Sequence, residues 1–486
     1  MSATKRAWNA LGPYIRGGFQ TSTTRARPIV DPCTGKPTTT KHVVTEATMD
    51  DVYHALLSAR QAQRGWESTT GSQRRDALLG LANNLSRHRE SLTDLERIQT
   101  GKPRDDAEYE INDTIECIRY FAGYADKLFG HSMIDNNNNL HSITVREPYG
   151  VVGLVVSFNY PLMLAGWKLA PALAAGNCVL LKPAPQTPLT ALALADLASD
   201  YLPSGVLSVL PGDGEIGRRI LEGVDKASFT GSTKAGQLIM QQQAQRLIPL
   251  TLECGGKNPV IVLKDADIKE AAGHVALGAF SNAGQNCCAV SRVLVHESIH
   301  DQFVDAVKTE MDKIDYGPVI DKNQYNHVRS YLQQQDNSNS HNSEPAYIGA
   351  PPPTLQQLQQ LQHETKDGYF IPATLFTHVS DDAPIAAEEI FGPVLSILKP
   401  FNDIESAIQR ANNSPYGLAA GVFGKDQRQT HRVASKLHTG YVWVNTYNLM
   451  PPYNPFGGRK LSGIGKDLGQ AALDEFTFVK SIVTGL

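Results

Sequence analysis

About a third of the way along the chain, the sequence reads Gly150-Val-Val-Gly-Leu-Val-Val-Ser-Phe-Asn-Tyr-Pro161. The apolar run Val151–Phe158 predicts a buried strand, and Pro161–Ala175 has helix-forming residues with apolar positions three and four apart. The same alternation continues downstream. Further strands are predicted at Asn177–Lys182, Val206–Leu210 and Lys226–Phe229, and further helices at Pro188–Leu202, Glu215–Glu222 and Thr233–Gln245. Strands alternating with helices are typical of βαβ units, so the sequence predicts an α/β fold with a parallel, dinucleotide-binding type of sheet.

A second α/β unit is predicted after the first one. It begins with the apolar strand Asn258–Lys264 and the helix Ile268–Ala283, and the alternation continues to about residue 445. The segments His141–Arg146 and Phe476–Thr484 alternate enough to be strands, either paired together or paired with another subunit. Low-complexity segments predict loops. These segments are Asn136–Asn139, Gln333–Asn342 and Pro351–Gln362.

Composition excludes several classes of partner. The 486 residues carry a net charge of −4, which gives no basic excess for binding nucleic acid or an anionic membrane. No apolar run approaches the roughly 18 residues of a membrane helix. Six sparse cysteines without paired metal-ligand spacing predict a reducing compartment and no metal site. We therefore expect a cytoplasmic protein; a mitochondrial matrix location is the alternative, because the first thirty residues lack Asp and Glu.

The segment Phe280–Ala289 carries a candidate nucleophile. Cys287 follows a glycine-containing turn at the end of an apolar segment, which is a setting that can expose a thiol to a substrate. A lone cysteine is more often part of the core. The thiol is therefore a candidate only if a base and a group that binds an oxyanion accompany it.

Two other segments supply such groups. Glu253 ends the apolar run of Leu250–Lys257 against two glycines, where a carboxylate can be desolvated and basic. Asn159 follows the first strand of the sheet, at the edge where parallel sheets commonly meet ligands, and its amide can donate to an oxyanion. Taken alone, Glu253 reads as a salt-bridged structural residue and Asn159 as a helix N-cap.

Two glycine-containing loops are candidate phosphate sites. Phe229–Gly236 passes from strand through Gly231 and Ser232 into a helix, whose N-terminus can bind a phosphate oxygen. Gly212–Gly217 satisfies GxGxxG literally, but we interpret it as a turn into a helix.

In this order, these segments resemble the aldehyde dehydrogenase superfamily from about Tyr14 to the C-terminus. Other matching motifs are Trp167-Lys168 before Ala170-Pro171-Ala172-Leu173, Lys182-Pro183, Glu388-Glu389-Ile390-Phe391-Gly392-Pro393, and Pro455-Phe456-Gly457-Gly458 with Lys460, Ser462 and Gly463. The resemblance implies three parts. They are a Rossmann-type dinucleotide-binding domain at 1–129 and 149–254, a catalytic domain at 255–461, and a β oligomerisation arm with the C-terminal segment at 130–148 and 462–486. A homodimer or homotetramer is then expected.

The resemblance also implies the chemistry. Cys287 would attack an aldehyde, Asn159 and the Cys287 N–H would hold the oxyanion, and Glu253 would activate the water that hydrolyses the thioester. The cofactor would be NAD. Cofactor contacts would come from Lys182, Gly231, Ser232, Glu389 and Phe391.

Three departures from the family pattern stand out. Pro185 occupies a position where NAD-preferring relatives often have glutamate, so NADP is not excluded. The segment Lys313–Ile320 is shorter than usual, which suggests a trimmed surface loop. Cys254 replaces the usual leucine after the base, and we assign it no role.

Within this family, Phe158-Asn159-Tyr160-Pro161 and Asn445-Thr446-Tyr447-Asn448, before Pro455-Phe456-Gly457-Gly458, resemble the motifs of betaine-aldehyde and 4-trimethylaminobutyraldehyde dehydrogenases. Tyr160, Trp167 and Phe456 would line the substrate pocket and form part of an aromatic cage for a quaternary ammonium. We therefore expect an amino- or trimethylamino-aldehyde substrate. General aliphatic or aromatic aldehydes are the alternative, and Ser281 replaces an aromatic residue of some betaine-aldehyde enzymes. A coenzyme A-acylating enzyme would lack Glu253, and a non-catalytic protein of the same fold would have lost the site residues.

Overall fold

The computed structural model describes residues 8, 10–20, 26–38, 42–337, 345–350 and 368–486. Within these ranges, no helix combines the length and apolar character needed to cross a membrane. The predicted loop Pro351–Gln362 lies outside the described residues.

The strands and helices have the following bounds. The strands are β1 (Ala10–Leu11), β2 (Tyr14–Ile15), β3 (Gly18–Phe19), β4 (Ala26–Pro28), β5 (Val30–Asp31), β6 (Lys36–Pro37), β7 (Val43–Thr45), β8 (Ser132–Asp135), β9 (Leu140–Pro148), β10 (Val151–Val155), β11 (Cys178–Lys182), β12 (Leu207–Val209), β13 (Lys226–Thr230), β14 (Leu250–Glu253), β15 (Asn258–Val262), β16 (Val290–Val295), β17 (Pro345–Ile348), β18 (Thr374–Val379), β19 (Val394–Leu398), β20 (Ala419–Phe423), β21 (Tyr441–Val444), β22 (Gly463–Ile464) and β23 (Thr477–Gly485). The helices are α1 (Met49–Glu67), α2 (Gly71–Arg87), α3 (Arg89–Thr100), α4 (Arg104–Ala122), α5 (Pro161–Ala174), α6 (Leu189–Ala198), α7 (Gly214–Gly223), α8 (Thr233–Ala244), α9 (Ile268–Phe280), α10 (His300–Met311), α11 (Lys322–Asn337), α12 (Pro384–Ala387), α13 (Ile404–Asn412), α14 (Gln427–Lys436) and α15 (Gly469–Glu475).

The first sheet has the order β22-β14-β13-β10-β11-β12-β2-β3 within the described ranges. Its central strands β14, β13, β10, β11 and β12 are parallel. Strands β10, β11, β12 and β13 are buried along their whole length, which explains why they read as continuous apolar runs. Helices α5, α6, α7 and α8 connect them, so the predicted βαβ architecture is confirmed. The edge strand β22 comes from the C-terminal part of the chain and pairs antiparallel with β14.

The second sheet has the order β17-β18-β19-β16-β15-β20-β21 in the described part of the chain. All its neighbours are parallel except β17, which pairs antiparallel with β18. Strand β15 follows β14 after only a short connection. The chain thus passes directly from the first sheet into the second, and the connection Cys254–Lys257 lies between them.

A third sheet has the order β23-β9-β8. Strand β23 pairs antiparallel with β9 from Thr477 opposite Pro148 to Gly485 opposite Leu140. The sequence left open whether His141–Arg146 and Phe476–Thr484 pair together or with another subunit. In the structure they pair with each other in the same chain. The division of the chain into three domains stays a prediction.

One sequence-based loop prediction is wrong in the described residues. The segment Gln333–Asn342 is predicted as a loop, but α11 continues to Asn337. In the segment Lys313–Ile320, Tyr316–Ile320 is buried, and the trimming of a surface loop there stays a prediction. The Ile320 N–H donates to Gln285 Oε1 at 2.8 Å, which places this segment behind the turn that precedes Cys287.

Candidate active site

The candidate nucleophile lies after a tight turn. Helix α9 ends at Phe280 and is followed by a 3₁₀ turn, Ser281–Gly284, in which Asn282 and Ala283 have φ values of 53° and 54°. Gly284 has a φ of 68°, and a Cβ there would lie 2.1 Å from the Gly392 oxygen. The turn therefore requires glycine at this position. It delivers Cys287 to the space between the two large sheets.

The Cys287 thiol is half-buried and is held by the groups around it. The backbone carbonyl oxygen of Cys287 accepts a 2.9 Å hydrogen bond from Asn258 Nδ2. A side-chain hydrogen bond with Cys288 and burial raise the pKa of Cys287 well above its ordinary value, and the negative charges of Glu253 and Glu389 act in the same direction. These surroundings therefore favour the neutral thiol.

Glu253 is the last residue of β14 and is buried. Neither carboxylate oxygen has a hydrogen-bond partner of normal geometry among the described residues. Burial and then the charge of Asp467 raise the pKa of Glu253 well above its ordinary value, opposed by Lys168, Lys466 and the Gly458 amide. This is the desolvated carboxylate that the sequence predicted, because it is surrounded by protein but not neutralised by an ion pair of its own.

Asn159 is also buried, four residues after β10. Its Nδ2 atom donates to the Gln285 oxygen at 3.1 Å, which accounts for one of its two amide protons. Asn159, Glu253 and Cys287 line the same two adjoining cavities. The structure thus brings together three residues that are far apart in the sequence.

The larger cavity is a cleft of about 340 Å³ at the carboxyl edge of the first sheet. Four predicted cofactor residues line it, namely Gly231, Ser232, Glu389 and Phe391. Ser232 is the N-cap of α8, and its side chain accepts from the Ala235 N–H. The first turn of α8 therefore faces the cleft, where a helix N-terminus favours an anionic group.

Glu389 and Phe391 reach the cleft from the second sheet. Glu389 Oε1 accepts the Gly256 N–H at 3.1 Å, and burial raises the pKa of Glu389 to about 7. Phe391 has a φ of 54°, and Gln324 Nε2 donates to its carbonyl oxygen at 2.8 Å. Phe158 packs edge-on against the Phe391 ring with centroids 5.8 Å apart.

Lys182 lies apart from this group. It is not among the described residues that line the cleft. Burial lowers the pKa of Lys182 to about 8, and the charges of Asp213 and Glu46 oppose that change. The literal GxGxxG segment is a turn into α7, with Asp213 as its N-cap, which confirms its interpretation.

The smaller cavity, of about 20 Å³, leads from Cys287 along α5. Tyr160, Trp167 and Phe456 all line it. The Trp167 and Phe456 rings meet at 62° with centroids 5.7 Å apart, and Trp167 Nε1 donates to Asp113 Oδ2 at 2.8 Å. The three predicted pocket residues are therefore neighbours of the candidate nucleophile.

Comparison with known proteins gives the family. The model of the aldehyde dehydrogenase family matches residues 19–482. The chain belongs to the aldehyde dehydrogenase family. An aldehyde dehydrogenase of Aspergillus niger is 38% identical over 97% of this chain and 94% of its own length.

Solved structures of aldehyde dehydrogenases agree with the fold. A mutant of the Bacillus cereus enzyme superposes with a TM-score of 0.91 at 38% identity and covers 99% of this chain and 97% of its own. Betaine aldehyde dehydrogenase from Staphylococcus aureus, in complex with NAD⁺, also gives 0.91 at 35% identity, with 98% of this chain and 95% of its own covered. The aldehyde dehydrogenase fold is confirmed, and this chain is an enzyme that oxidises aldehydes with NAD(P).

Sequence reasoning missed several residues of the cleft. Gln324 and His327 on α11 and Tyr416 line it together with Lys234. The first two lie on the polar side of an amphipathic helix and look like a solvated surface in the sequence. The available signal for their place in the cleft would have been that these two polar residues closely follow the segment Tyr316–Ile320.

Proposed function

We propose that this aldehyde dehydrogenase converts its substrate to a carboxylic acid through a thioester on Cys287, with Glu253 and Asn159 as its other catalytic groups. The observation that carries this proposal is that the three side chains line both cavities where these adjoin. A thiol, a desolvated carboxylate and an amide donor are the groups that acyl transfer requires.

The thiolate of Cys287 attacks the aldehyde carbon and makes a tetrahedral thiohemiacetal. The second N–H of the Asn159 side-chain amide donates a hydrogen bond to the oxyanion, and the backbone N–H of Cys287 donates another. Collapse of this intermediate re-forms the C=O bond and releases hydride, leaving a thioester. Glu253 takes a proton from water, which adds to the thioester, and Cys287 leaves as thiolate.

The cleft fits a dinucleotide. The first turn of α8, with Gly231 and Ser232, favours pyrophosphate, while the Glu389 carboxylate would accept hydrogen bonds from ribose hydroxyls. Bound NAD(P) supplies the hydride acceptor. Phe391 would lie beside the nicotinamide end, and Lys182 stays a predicted ribose contact.

For cofactor choice, we infer that NAD is used and that NADP is also accepted. Pro185 places no negative charge beside Lys182, and Arg27 adds positive charge to its surroundings. Arg27 Nη1 lies 3.6 Å from Glu46 Oε1, and the Arg27 side chain is exposed. A comparison of kcat/KM for the two dinucleotides, in wild type and Arg27→Ala, tests this inference.

The catalytic proposal is tested by initial rates of NADH and NADPH formation at 340 nm. Cys287→Ala should lose the aldehyde-dependent signal, because the variant lacks the thiol proposed to carry the acyl intermediate. Cys178→Ala is the matched control, since Cys178 is a buried thiol in β11 away from the cleft. A Cys287→Ala variant that keeps wild-type turnover contradicts the proposal.

For the substrate, we propose an amino- or trimethylamino-aldehyde. The smaller cavity offers the aromatic rings of Tyr160, Trp167 and Phe456, and Asp113 adds negative charge behind Trp167. Aromatic faces attract a quaternary ammonium by roughly 0.5–2 kcal/mol per contact. The similarity to a betaine aldehyde dehydrogenase supports the same substrate class.

Uncharged aliphatic or aromatic aldehydes are the second candidate. One observation favours them: Lys102 Nζ already lies 4.5 Å from the centroid of the Tyr160 ring, and its positive charge opposes a second cation there. The kcat/KM for trimethylaminobutyraldehyde and for hexanal separates the candidates. A preference for the cationic aldehyde that falls in Phe456→Leu supports the first, whereas equal or higher kcat/KM for hexanal supports the second.

We also infer a homodimer or homotetramer, in the cytoplasm. Strand β23 exposes Phe478, Val479, Ile482 and Val483, and Met133 and Ile134 are exposed on β8 of the same sheet. Exposed apolar patches of this kind mark protein interfaces. Light scattering after size-exclusion chromatography should give two or four times the 52.9 kDa of the chain, and a monomer would contradict the inference.

A further inference from the structure

A buried ion pair lies beside the turn that carries Asn159. The side chains of Lys102 and Glu110 are fully buried, and Lys102 Nζ lies 2.6 Å from Glu110 Oε2. Removing two charges from water is unfavourable unless the remaining hydrogen-bonding capacity of both groups is used. The other contacts of the two side chains therefore show what the pair holds in place.

Glu110 holds the start of α5. This helix begins with Pro161, which has no N–H, and its N-cap residue Tyr160 provides no side-chain hydrogen bond. Glu110 Oε1, from α4, instead accepts the N–H groups of Leu162 at 2.9 Å and Met163 at 3.2 Å. The carboxylate also faces the positive end of the helix dipole. A residue 50 positions away thus supplies the missing cap.

Lys102 holds Asn159, two residues before this helix begins. The Asn159 carbonyl oxygen accepts from Lys102 Nζ at 3.0 Å and from Asn282 Nδ2 at 2.9 Å, so both of its acceptor positions are used. The side-chain amide of Asn159 donates to the Gln285 oxygen. Asn159 is therefore fixed through its backbone and its side chain together.

The ion pair itself stays outside the reaction space. Lys102 and Glu110 are not among the described residues that line either cavity at Cys287. Other carboxyl groups also lie close enough to interact with Lys102, namely Glu96 and Asp106. The hydrogen bonds of the pair go to Asn159 and to the first turn of α5.

We propose that Lys102 and Glu110 are positioning residues for the oxyanion site: together they fix the backbone of residues 159–163 so that the second amide proton of Asn159 points at the reacting oxygen. This inference rests on the role proposed above for Asn159. Lys102 binds the carbonyl of Asn159, and Glu110 fixes the helix that follows. Neither side chain touches the reacting atoms.

The test removes both charges at once. The double variant Lys102→Met, Glu110→Gln removes both members of the ion pair together, so that neither is left without the other, and changes the side-chain volumes little. The NADH formed in the first turnover is followed by stopped flow, since the oxyanion forms before hydride leaves. We expect this rate to fall by roughly 10- to 100-fold, because a misplacement of about 1 Å can cost up to 10²-fold. The KM for NAD should stay nearly unchanged.

Arg74→Met is the matched control. Arg74 Nε donates to the Ala174 oxygen at 2.9 Å, at the opposite end of α5 from Asn159. This variant should lower the melting temperature but keep the first-turnover rate. A similar loss of rate in Arg74→Met would show that any weakening of α5 slows the reaction, and would overturn the proposal.

A cycle with Asn159→Ala separates this proposal from the one on which it rests. If the pair acts through Asn159, removing the pair has no further effect on the rate in the Asn159→Ala background. Losses that multiply overturn the positioning role. If Asn159→Ala alone keeps the wild-type rate, the oxyanion role of Asn159 is wrong. If the double variant does not fold, Lys102→Arg takes its place in the cycle. A loss of first-turnover rate in Lys102→Arg that vanishes in the Asn159→Ala background supports the proposal. A wild-type first-turnover rate in Lys102→Arg overturns it.

Discussion

Gly255 lies against the carboxylate of Glu389, and we expect Gly255→Ala to weaken NAD binding while the chemistry at Cys287 continues. A Cβ at residue 255 would lie 1.8 Å from Oε2 and 2.3 Å from Cδ of Glu389. Because non-bonded heavy atoms need about 3.5 Å, the carboxylate must move by roughly 1.5 Å. That movement breaks the hydrogen bond from the Gly256 N–H.

The size of the effect follows from the contacts that Glu389 would lose. A hydrogen bond to a charged group contributes about 1.5–3 kcal/mol, which corresponds to a change of roughly 10- to 150-fold in affinity. We expect the KM for NAD to rise within that range. The kcat at saturating NAD should change little, because Gly255 has no positive φ and its backbone accepts a side chain without strain.

Initial rates at 340 nm with varied NAD measure this effect, and quenching of protein fluorescence gives the Kd directly. Gly273→Ala is the control, since no heavy atom lies within 4 Å of its added Cβ. In a Glu389→Ala background the added methyl group has room, so Gly255→Ala should cause no further change in KM. An unchanged KM, or the same increase in both backgrounds, would refute the reasoning.

Three other predictions concern buried carboxyl groups. Glu253→Gln should form one NADH per active site in a burst and then turn over at least about 100-fold more slowly, with an acyl group trapped on the protein in acid-quench mass spectrometry. Because the pKa of Glu253 is raised, thioester hydrolysis should slow as pH falls through that pKa. Asp467→Asn should move this limb of the pH profile to lower pH, because the variant removes a negative charge near Glu253. A limb that does not move contradicts the assignment of Glu253 as the base. Burial raises the pKa of Glu96 to about 8, so its contribution to stability is complete below its ordinary pKa and is lost as pH rises towards 8. The melting temperature of Glu96→Gln should therefore fall less than that of wild type between pH 6 and 9 in differential scanning fluorimetry, and parallel curves would contradict this.

The first sheet could be predicted from the sequence because each of its central strands is buried on both faces. Such strands read as continuous apolar runs, and the helices between them alternate clearly. The ends of the strands could not be predicted as well. The apolar run Val151–Phe158 predicts one strand, but β10 ends at Val155. Apolar residues continue past the last ladder hydrogen bond, so hydrophobicity does not mark where pairing stops.

Low complexity was a poor guide to local structure. The glutamine-rich end of α11 continues to Asn337 although it was predicted as a loop. Glutamine has good helix propensity, and a surface helix does not need an apolar residue at every turn. Composition alone could not distinguish the last turn of a helix from an unstructured segment.

The candidate catalytic groups could be predicted because each follows an apolar run: Asn159 and Glu253 follow or end strands of the first sheet, and Cys287 follows α9. The cleft residues of α11 and the Lys102–Glu110 pair could not. The two charged residues lie on different elements, eight residues apart, and their shared target, Asn159, is 57 residues from Lys102. Nothing in the local sequence distinguishes such a pair from two solvated charges.

The electrostatics of the site connect its two half-reactions. A side-chain hydrogen bond with Cys288 and burial raise the pKa of Cys287, and the charges of Glu253 and Glu389 add to this, so the groups proposed for hydrolysis and ribose binding also oppose formation of the nucleophile. Positive charge from the oxidised nicotinamide would act in the opposite direction and lower this pKa. The thiol would then be most reactive when the hydride acceptor is already present. An aldehyde that enters first meets a protonated thiol, and this arrangement disfavours attack that cannot be followed by oxidation.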